Sequence, residues 1–419
     1  MWDRRWPLND SPTITMNITM KKKAFTLFLL AGIATSAHAQ SSITLYGIID
    51  ADLNYINNVG VAQSAGSTGH PATYRNRALV SQSGNGYQAN RWGFRGSEDL
   101  GDGNAAFFQL ENGFSINTGA FASSGVEFNR QAFVGLSNKR YGALSFGRQY
   151  DAMFDLVVPY GPCFFFGSYV SDYAGDINEY DGYARVNNAV KYRSPTIDGV
   201  TGELLYGFGG VAGSLNQDST ISAALQYDNG TFGIGVGYLR SDNSGSTANT
   251  WNGSTVGNFI SSVTYGFAGA RRVQLIDVAG KYQLGALSLG LNYGYVNYTP
   301  SAVSLFRRVL TYNSAGLSAF YQTTAALGFG FGYNYTRGTS VDGAASRPHY
   351  QQLTLSSNYL LSKRTMLYVA AAYQHSGGKT LDAYGNVVTA TASVGDSADG
   401  FSSGSTSQVL ARVGIRHLF

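Results

Sequence analysis

The chain has 419 residues, with 53 glycines and 29 tyrosines but only 8 prolines and 13% charged residues. Its formal net charge is +4, and five Lys/Arg against two Asp/Glu precede Gln40, so the remainder is close to neutral. Near-neutrality argues against nucleic-acid binding. The single cysteine, Cys163, excludes an internal disulfide, and no stretch after Gln40 reaches the about 20 apolar residues of a spanning helix. So few charges suit a surface of which a broad band faces lipid. His70, His349, His375 and His417 form no metal-ligand spacing or nucleophile motif, so no metal and no cofactor is expected.

The chain opens with a basic start at Lys21-Lys22-Lys23, an apolar run from Ala24 to Ile33, and the small-x-small site Ala37-His38-Ala39. This is the three-part pattern of a secretory signal peptide, too short to span a membrane. Met20 directly precedes the lysines, so residues 1–19 are expected to be an over-long start. The expected organisation is a leader over 1–39 and one barrel domain over 40–419.

Strand patterns follow, with no competing helical period. In Ile43 to Tyr55, Leu45, Gly47, Ile49 and Ala51 share one face, and Tyr46, Ile48, Asp50 and Asp52 the other. Phe232, Ile234, Val236 and Tyr238 alternate with Gly233, Gly235 and Gly237. Leu287 to Tyr295 and Leu327 to Tyr335 repeat the pattern. In the closing strand Gln408 to Phe419, Ala411, Val413, Ile415, His417 and Phe419 face one way, and Arg412, Gly414 and Arg416 the other. Large apolar groups on one face and small or polar ones on the other suit lipid outside and water inside. A soluble sandwich would alternate too, with the apolar face as its core.

Connection lengths separate the two. Short turns fall near Asp99–Gly103, Asn138–Tyr141, Pro195–Gly199, Asp228–Gly230, Leu284–Ala286, Gln322–Ala325 and Leu361–Arg364. Long loops fall near Ile56–Gly86, Asp151–Ala184, Ser241–Ala270, Gly338–Pro348 and Gly377–Ser407. Short periplasmic turns alternating with long external loops are the outer-membrane rhythm. The count predicts an all-β, 16-stranded antiparallel transmembrane β-barrel in the cell outer membrane, with both chain ends on the short-turn side.

Four segments resemble general diffusion porins, and β-proteobacterial ones in particular. Arg91-Trp92-Gly93-Phe94-Arg95-Gly96 followed by Glu98-Asp99-Leu100-Gly101 is similar to their second strand and turn. Phe128-Asn129-Arg130-Gln131-Ala132-Phe133-Val134-Gly135-Leu136 resembles the fourth strand, Leu144-Ser145-Phe146-Gly147-Arg148-Gln149 the fifth, and Val413 to Phe419 the ending. The resemblance spans Gln40 to Phe419. It implies a homotrimer of barrels, a loop after the fifth strand folded inward to constrict each pore, and a terminal Phe419 read by the outer-membrane assembly machinery. The constricting loop departs from the Pro-Glu-Phe-Gly-Gly run of some porins, reading Pro159-Tyr160-Gly161-Pro162-Cys163-Phe164-Phe165-Phe166-Gly167.

The chemistry of a pore is fixed charge at its narrowest point. Strand parity turns Arg91, Arg130 and Arg185 inward near the starts of strands two, four and six, and the resemblance places an arginine ladder there. Arg95, Lys191 and Arg193 share the lumen surface, as do the acids Asp50 and Glu111. Loop acids Asp172, Asp176, Glu179 and Asp181 are expected to oppose the arginines across the pore, giving a transverse field that favours polar solutes. Arg148 has outward parity. Because an arginine facing mid-bilayer lipid costs roughly 2–4 kcal/mol, it is expected to be covered by a neighbouring subunit at the trimer interface or, alternatively, to sit at the headgroup level where the cost is small. The outward Gly47 and Ala51 are small enough for close approach of another barrel.

The function implied is an outer-membrane porin for passive diffusion of small hydrophilic solutes and ions, with lipids around it. The alternative is a substrate-specific channel of the same fold, kept open by Tyr160, Phe164, Phe165 and Phe166. An enzyme would need a poised His with an acid or Ser partner, for which only His349 and His375 offer themselves. Excess basic charge on the wall predicts a weak anion preference.

Overall fold

The computed structural model describes residues 42–166, 169–182, 184–244, 259, 261–395 and 402–419. The expected leader, 1–39, lies outside them. The first strands are β1 (Ser42–Ser64), β2 (Thr73–Gly84), β3 (Arg91–Gly101), β4 (Asn104–Gly113), β5 (Gln131–Asn138) and β6 (Gly142–Tyr150). After a long segment come β7 (Arg185–Arg193), β8 (Val200–Gly207), β9 (Thr220–Asp228), β10 (Phe232–Asp242), β11 (Arg272–Leu284) and β12 (Leu287–Thr299). They are followed by β13 (Leu310–Gln322), β14 (Leu327–Gly338), β15 (His349–Leu360) and β16 (Thr365–Gly377). A small hairpin, β17 (Lys379–Leu381) with β18 (Val387–Thr389), precedes the closing β19 (Ser407–Leu418).

All barrel pairings are antiparallel between neighbours, and β19 closes the ring on β1 from Ile48↔Leu418 to Ile56↔Leu410. The other edge of β1 carries two partners in succession. Ser42–Ile48 pairs with β3, and Ala51–Ser64 pairs with β2. The second stave of the barrel is thus interrupted at Asn85–Asn90, and the 17 strands of the sheet form sixteen staves. This places two strands in the expected long loop Ile56–Gly86. Asn57-Asn58 reads as a turn, yet it is a bulge: the register shifts between Ile56 and Val59, with Asn58 at φ 51°. Residues 73–78 of β2 are exposed on both faces, so this half of the strand carries no apolar alternation to read.

Inside the membrane the alternation holds. On β14, Phe329, Phe331, Tyr333 and Tyr335 are exposed to the outside, and Gly330, Gly332 and Asn334 are buried within. The outward glycine Gly47 has a specific role. The backbones of Gly47 and Phe419 exchange hydrogen bonds of 3.0 and 3.1 Å. A Cβ on Gly47 would lie 2.2 Å from the Phe419 ring. The small residue therefore seats the chain's own terminal ring across the seam.

The segment after β6 lies on the inner wall. It contains α1 (Ala152–Leu156), a single turn Val158–Tyr160, α2 (Pro162–Phe166) and further turns at Tyr169–Ser171 and Ala174–Asp176. Asp151 caps α1, accepting the backbone N–H of Met153 at 2.7 Å. The glycine face of β10 is its berth: a Cβ on Gly235 would come within 2.3 Å of the Leu156 carbonyl. Phe154, Leu156, Val157, Tyr173 and Tyr180 pack with Val273, Leu275 and Val296 of the wall into one apolar cluster. The dry core of this barrel is the contact between loop and wall. Burying those side chains offsets the entropy of ordering the long segment.

Candidate functional site

The wall from β3 to β7 brings the three predicted arginines to one side chain, Tyr150. A bulge makes this possible. Gly147 adopts φ 131°, and the pairing of β6 with β7 shifts register between Gly147 and Gln149. The extra residue reverses parity, so Tyr150 points inward although Leu144 and Phe146 point out. Arg130 Nη2 donates to the Tyr150 hydroxyl at 2.5 Å and Arg185 Nη2 at 3.1 Å. Both guanidinium groups also lie near the ring, 5.9 and 5.0 Å from its centroid. Phe154 of α1 stacks on Tyr150 at 4.0 Å. Arg91 sits close enough to Arg130 and Glu111 for their charges to interact.

Glu111 lies on the inner wall as expected. It accepts from Arg130 Nε at 2.7 Å and from the Tyr46 hydroxyl at 2.9 Å. Arg95 lies over the Tyr46 ring, 5.3 Å from its centroid. Lys191 pairs with Asp155 of α1 at 2.5 Å, and Arg193 with Glu203 at 2.5 Å. These two cations are therefore neutralised, and Lys191 clamps the loop to the wall. Asp50 is buried, accepting from Tyr368 Oη at 2.6 Å and from the backbone of Gln88 at 2.8 Å and Tyr87 at 3.0 Å. It holds the inward-folded break between β2 and β3.

The loop acids do not face the arginines as an open row. Asp172 and Asp176 are 4% and 6% exposed. The carboxylates of Asp176, Glu179 and Asp181 lie within 4.8 Å of one another. Asp176 accepts from the Tyr180 N–H at 2.8 Å, and Glu179 from that of Ala184 at 3.1 Å. Burial first, then mutual repulsion, pushes Asp172, Asp176 and Glu179 well above the usual carboxylate range. The physical reason is anchoring. Asn334 donates to the Ser171 carbonyl at 2.6 Å, Gln352 to that of Asp172 at 2.8 Å, and Asn178 to Asp277 at 2.7 Å. These bonds draw the stretch around Asp172 and Asn178 against β11, β14 and β15, while Glu179 stays close enough to Arg185 for their charges to interact.

Arg148 has no need of a neighbour's carboxylate. Its Nε donates to the Asn129 carbonyl at 2.8 Å, its Nη2 donates to the same oxygen, and Nη1 donates to Asn187 Oδ1 at 2.6 Å. The bulge folds the Arg148 guanidinium back onto its own chain. Tyr150 went unnoticed in the sequence because only Gly147 signals the bulge. Arg416 was seen on the inner face but not as part of a site. It donates to Gln88 Oε1 at 2.8 Å and lies 4.8 Å over the Tyr87 ring. His349 and His375 sit on outward positions of β15 and β16.

A closed barrel of sixteen staves, with charge and tyrosine gathered inside and apolar side chains outside, is a channel wall in a membrane. The chain belongs to the Gram-negative porin family, whose pattern matches residues 26–379. An outer membrane porin of Bordetella pertussis is 33% identical over 52% of this chain and 59% of its own length. Outer membrane porin protein 32 of Delftia acidovorans is 27% identical over 96% of this chain and all of its own. Among solved structures, an anion-selective porin from Comamonas acidovorans shares the fold at a TM-score of 0.61, with 22% identity, covering 91% of this chain and 100% of that one. The protein is an outer-membrane porin, a passive diffusion channel.

Proposed function

We propose that the protein is a homotrimeric general diffusion porin with a weak preference for anions. The observation that carries the preference is the convergence of Arg130 and Arg185 on Tyr150, with Arg91 beside them. One carboxylate, Glu111, pairs with that group. Of the loop acids, Asp172 and Asp176 are buried and held toward their neutral forms, so they offset little of the wall's charge. In a narrow passage with low-dielectric walls the uncompensated sign sets which ion enters more easily. The fold neighbour from Comamonas acidovorans is described as anion-selective, which accords with this reading.

The trimer rests on family membership. Phe419, seated on Gly47, is proposed as the feature the assembly machinery recognises once the last strand is presented. A substrate-specific channel is the weaker reading: Tyr160 bonds Asp228 at 2.9 Å, and Phe164 packs on Phe154. Those aromatics serve to hold the loop. The test is reversal potential in a salt gradient across a planar bilayer, with liposome swelling across a panel of sugars and acids. Cation preference, or saturable uptake of one solute, would overturn the proposal.

A further inference from the structure

We propose that the inward-folded break of the second stave, Asn85–Asn90, is a second selectivity element of the pore, and that its Tyr87 is the positioning residue that keeps the cation of Arg416 out of the passage. The inference rests on fixed wall charge setting ion preference, as argued above, and adds what limits that preference.

The backbone of the break is fixed from below. Asn85 takes φ 80°, a left-handed conformation that asparagine tolerates. Its Oδ1 accepts from the Asn90 backbone N–H at 2.7 Å, which closes the segment into a loop. A Cβ on Gly86 would lie 2.1 Å from Asp52 Oδ2, so glycine alone lets the chain dive against β1. Asp50 Oδ2 accepts the N–H groups of Tyr87 and Gln88. Asn90 exchanges hydrogen bonds of 2.6 and 2.9 Å with the Asp50 backbone. None of these bonds uses the side chains of Tyr87 and Gln88, which are left to reach across the seam.

Tyr87 meets Tyr368 of β16 with ring centroids 5.3 Å apart, and its hydroxyl accepts from Asn358 of β15 at 3.0 Å. The Arg416 guanidinium of β19 lies 4.8 Å over the same ring and donates to Gln88 Oε1 at 2.8 Å. Arg416 points into the barrel, yet it is only 8% exposed. It stands opposite Asp50 in the sheet, but that carboxylate is taken up by the Tyr368 hydroxyl and the two amides of the break. Arg416 joins no ion pair among the described residues. Its charge is covered by the electron-rich face of a half-buried tyrosine and a neutral amide, not cancelled by an acid.

The break also lies at the arginine cluster. Along β1, Ile48 faces Arg91 on one side, and Asp50, two residues on, faces Arg416 on the other. Ala89 donates its N–H to the Tyr169 hydroxyl of the constricting loop at 3.2 Å. Tyr169 is close enough to Arg91 and Arg130 for their charges to interact. One inserted segment thus leads directly into Arg91 and withholds Arg416.

Reversal potential and single-channel conductance of the folded protein in a planar bilayer, in dilute salt, test this. Tyr87→Ala should shift the potential toward anions, because it bares one wall cation. Tyr87→Phe keeps the ring and should match the wild type. Arg416→Gln alone should leave the potential unchanged, and Tyr87→Ala with Arg416→Gln should return it to the wild-type value. A ring with a merely structural role would alter conductance equally with and without Arg416 and leave the potential alone. The shifts are read against the wild type, so a cation-preferring wild type would sink the reading of Arg130 and Arg185 without deciding this one. A cation shift in Arg416→Gln, which needs no change at Tyr87, would put Arg416 in the open passage and overturn the proposal. An unmoved potential in Tyr87→Ala, or an anion shift that survives in the double variant, would overturn it as well.

Discussion

On the wall of β4 to β7, charge is paired: Arg130 has Glu111 at 2.7 Å and the Tyr150 hydroxyl at 2.5 Å. In the loop, the carboxyls of Asp176, Glu179 and Asp181 lie within 4.8 Å of one another, and burial first, then repulsion from Asp181, holds Asp176 and Glu179 toward their neutral forms. The two regions carry opposite charges, yet they differ chiefly in how each side chain is supported. Strand side chains are aimed by the pleat and must point into the barrel. Loop side chains are aimed by whichever backbone groups the wall captures, here by Asn334, Gln352 and Asn178. Charge on the wall is therefore set by parity, and charge in the loop by docking.

The largest effect should come from the seam on which both regions depend. Gly47→Val drives a side chain into the Phe419 ring, and the chain should then yield several-fold less folded barrel, read by heat-modifiable mobility after refolding in detergent. Adding Phe419→Ala should restore folding in detergent only in part, because the Arg91 carbonyl remains 2.8 Å from the added Cβ. A fully folded single variant would show that the ring has another seat.

Next comes the berth of the loop. Gly235→Val inserts two methyl groups where the Leu156 carbonyl would be 2.3 Å from a Cβ. Overpacking of this kind costs about 1–3 kcal/mol, and α1 should move off β10 into the lumen. Single-channel conductance should fall clearly, with the barrel still folded. Unchanged conductance would mean that α1 does not border the open passage.

Arg185→Gln should then shift the reversal potential toward cations, and Arg130→Gln should do so too while leaving Glu111 without its main partner. Breaking a buried pair costs about 3–5 kcal/mol, so Arg130→Gln should also lower thermal stability and Arg185→Gln should not match it. Both potential shifts should shrink in concentrated salt, where the screening length is about 3 Å at 1 M. A selectivity indifferent to both changes would remove the arginines from the constriction.

Most of the barrel is legible in the sequence because lipid outside and water inside impose a period of two on every stave. Arg91, Arg130, Arg185 and Glu111 follow from that parity alone. What escaped had a local cause. The single bulge at Gly147 reverses parity, hiding Tyr150 and misdirecting Arg148. The outer part of the β1–β2 hairpin is exposed on both faces of β2 and so carries no alternation. The loop acids have no strand period, and their direction is decided by partners more than 90 residues away, such as Asn178 with Asp277.

The smallest effect should come from the loop, and its smallness is the point. Asp176→Asn removes a group that is 6% exposed and whose folded pKa is raised by burial and by Asp181. A carboxyl raised in the folded state binds its proton there more tightly than in the unfolded chain, where its pKa is about 3.9. The stability tied to that proton is full below this value and is lost as pH rises through the folded one. Wild-type thermal stability should therefore decline with rising pH across that window, and Asp176→Asn should flatten the decline. The reversal potential at neutral pH should move far less than in Arg185→Gln. An anion shift as large as the arginine's cation shift would put a charged Asp176 at the pore, and the contrast between wall and loop would fail.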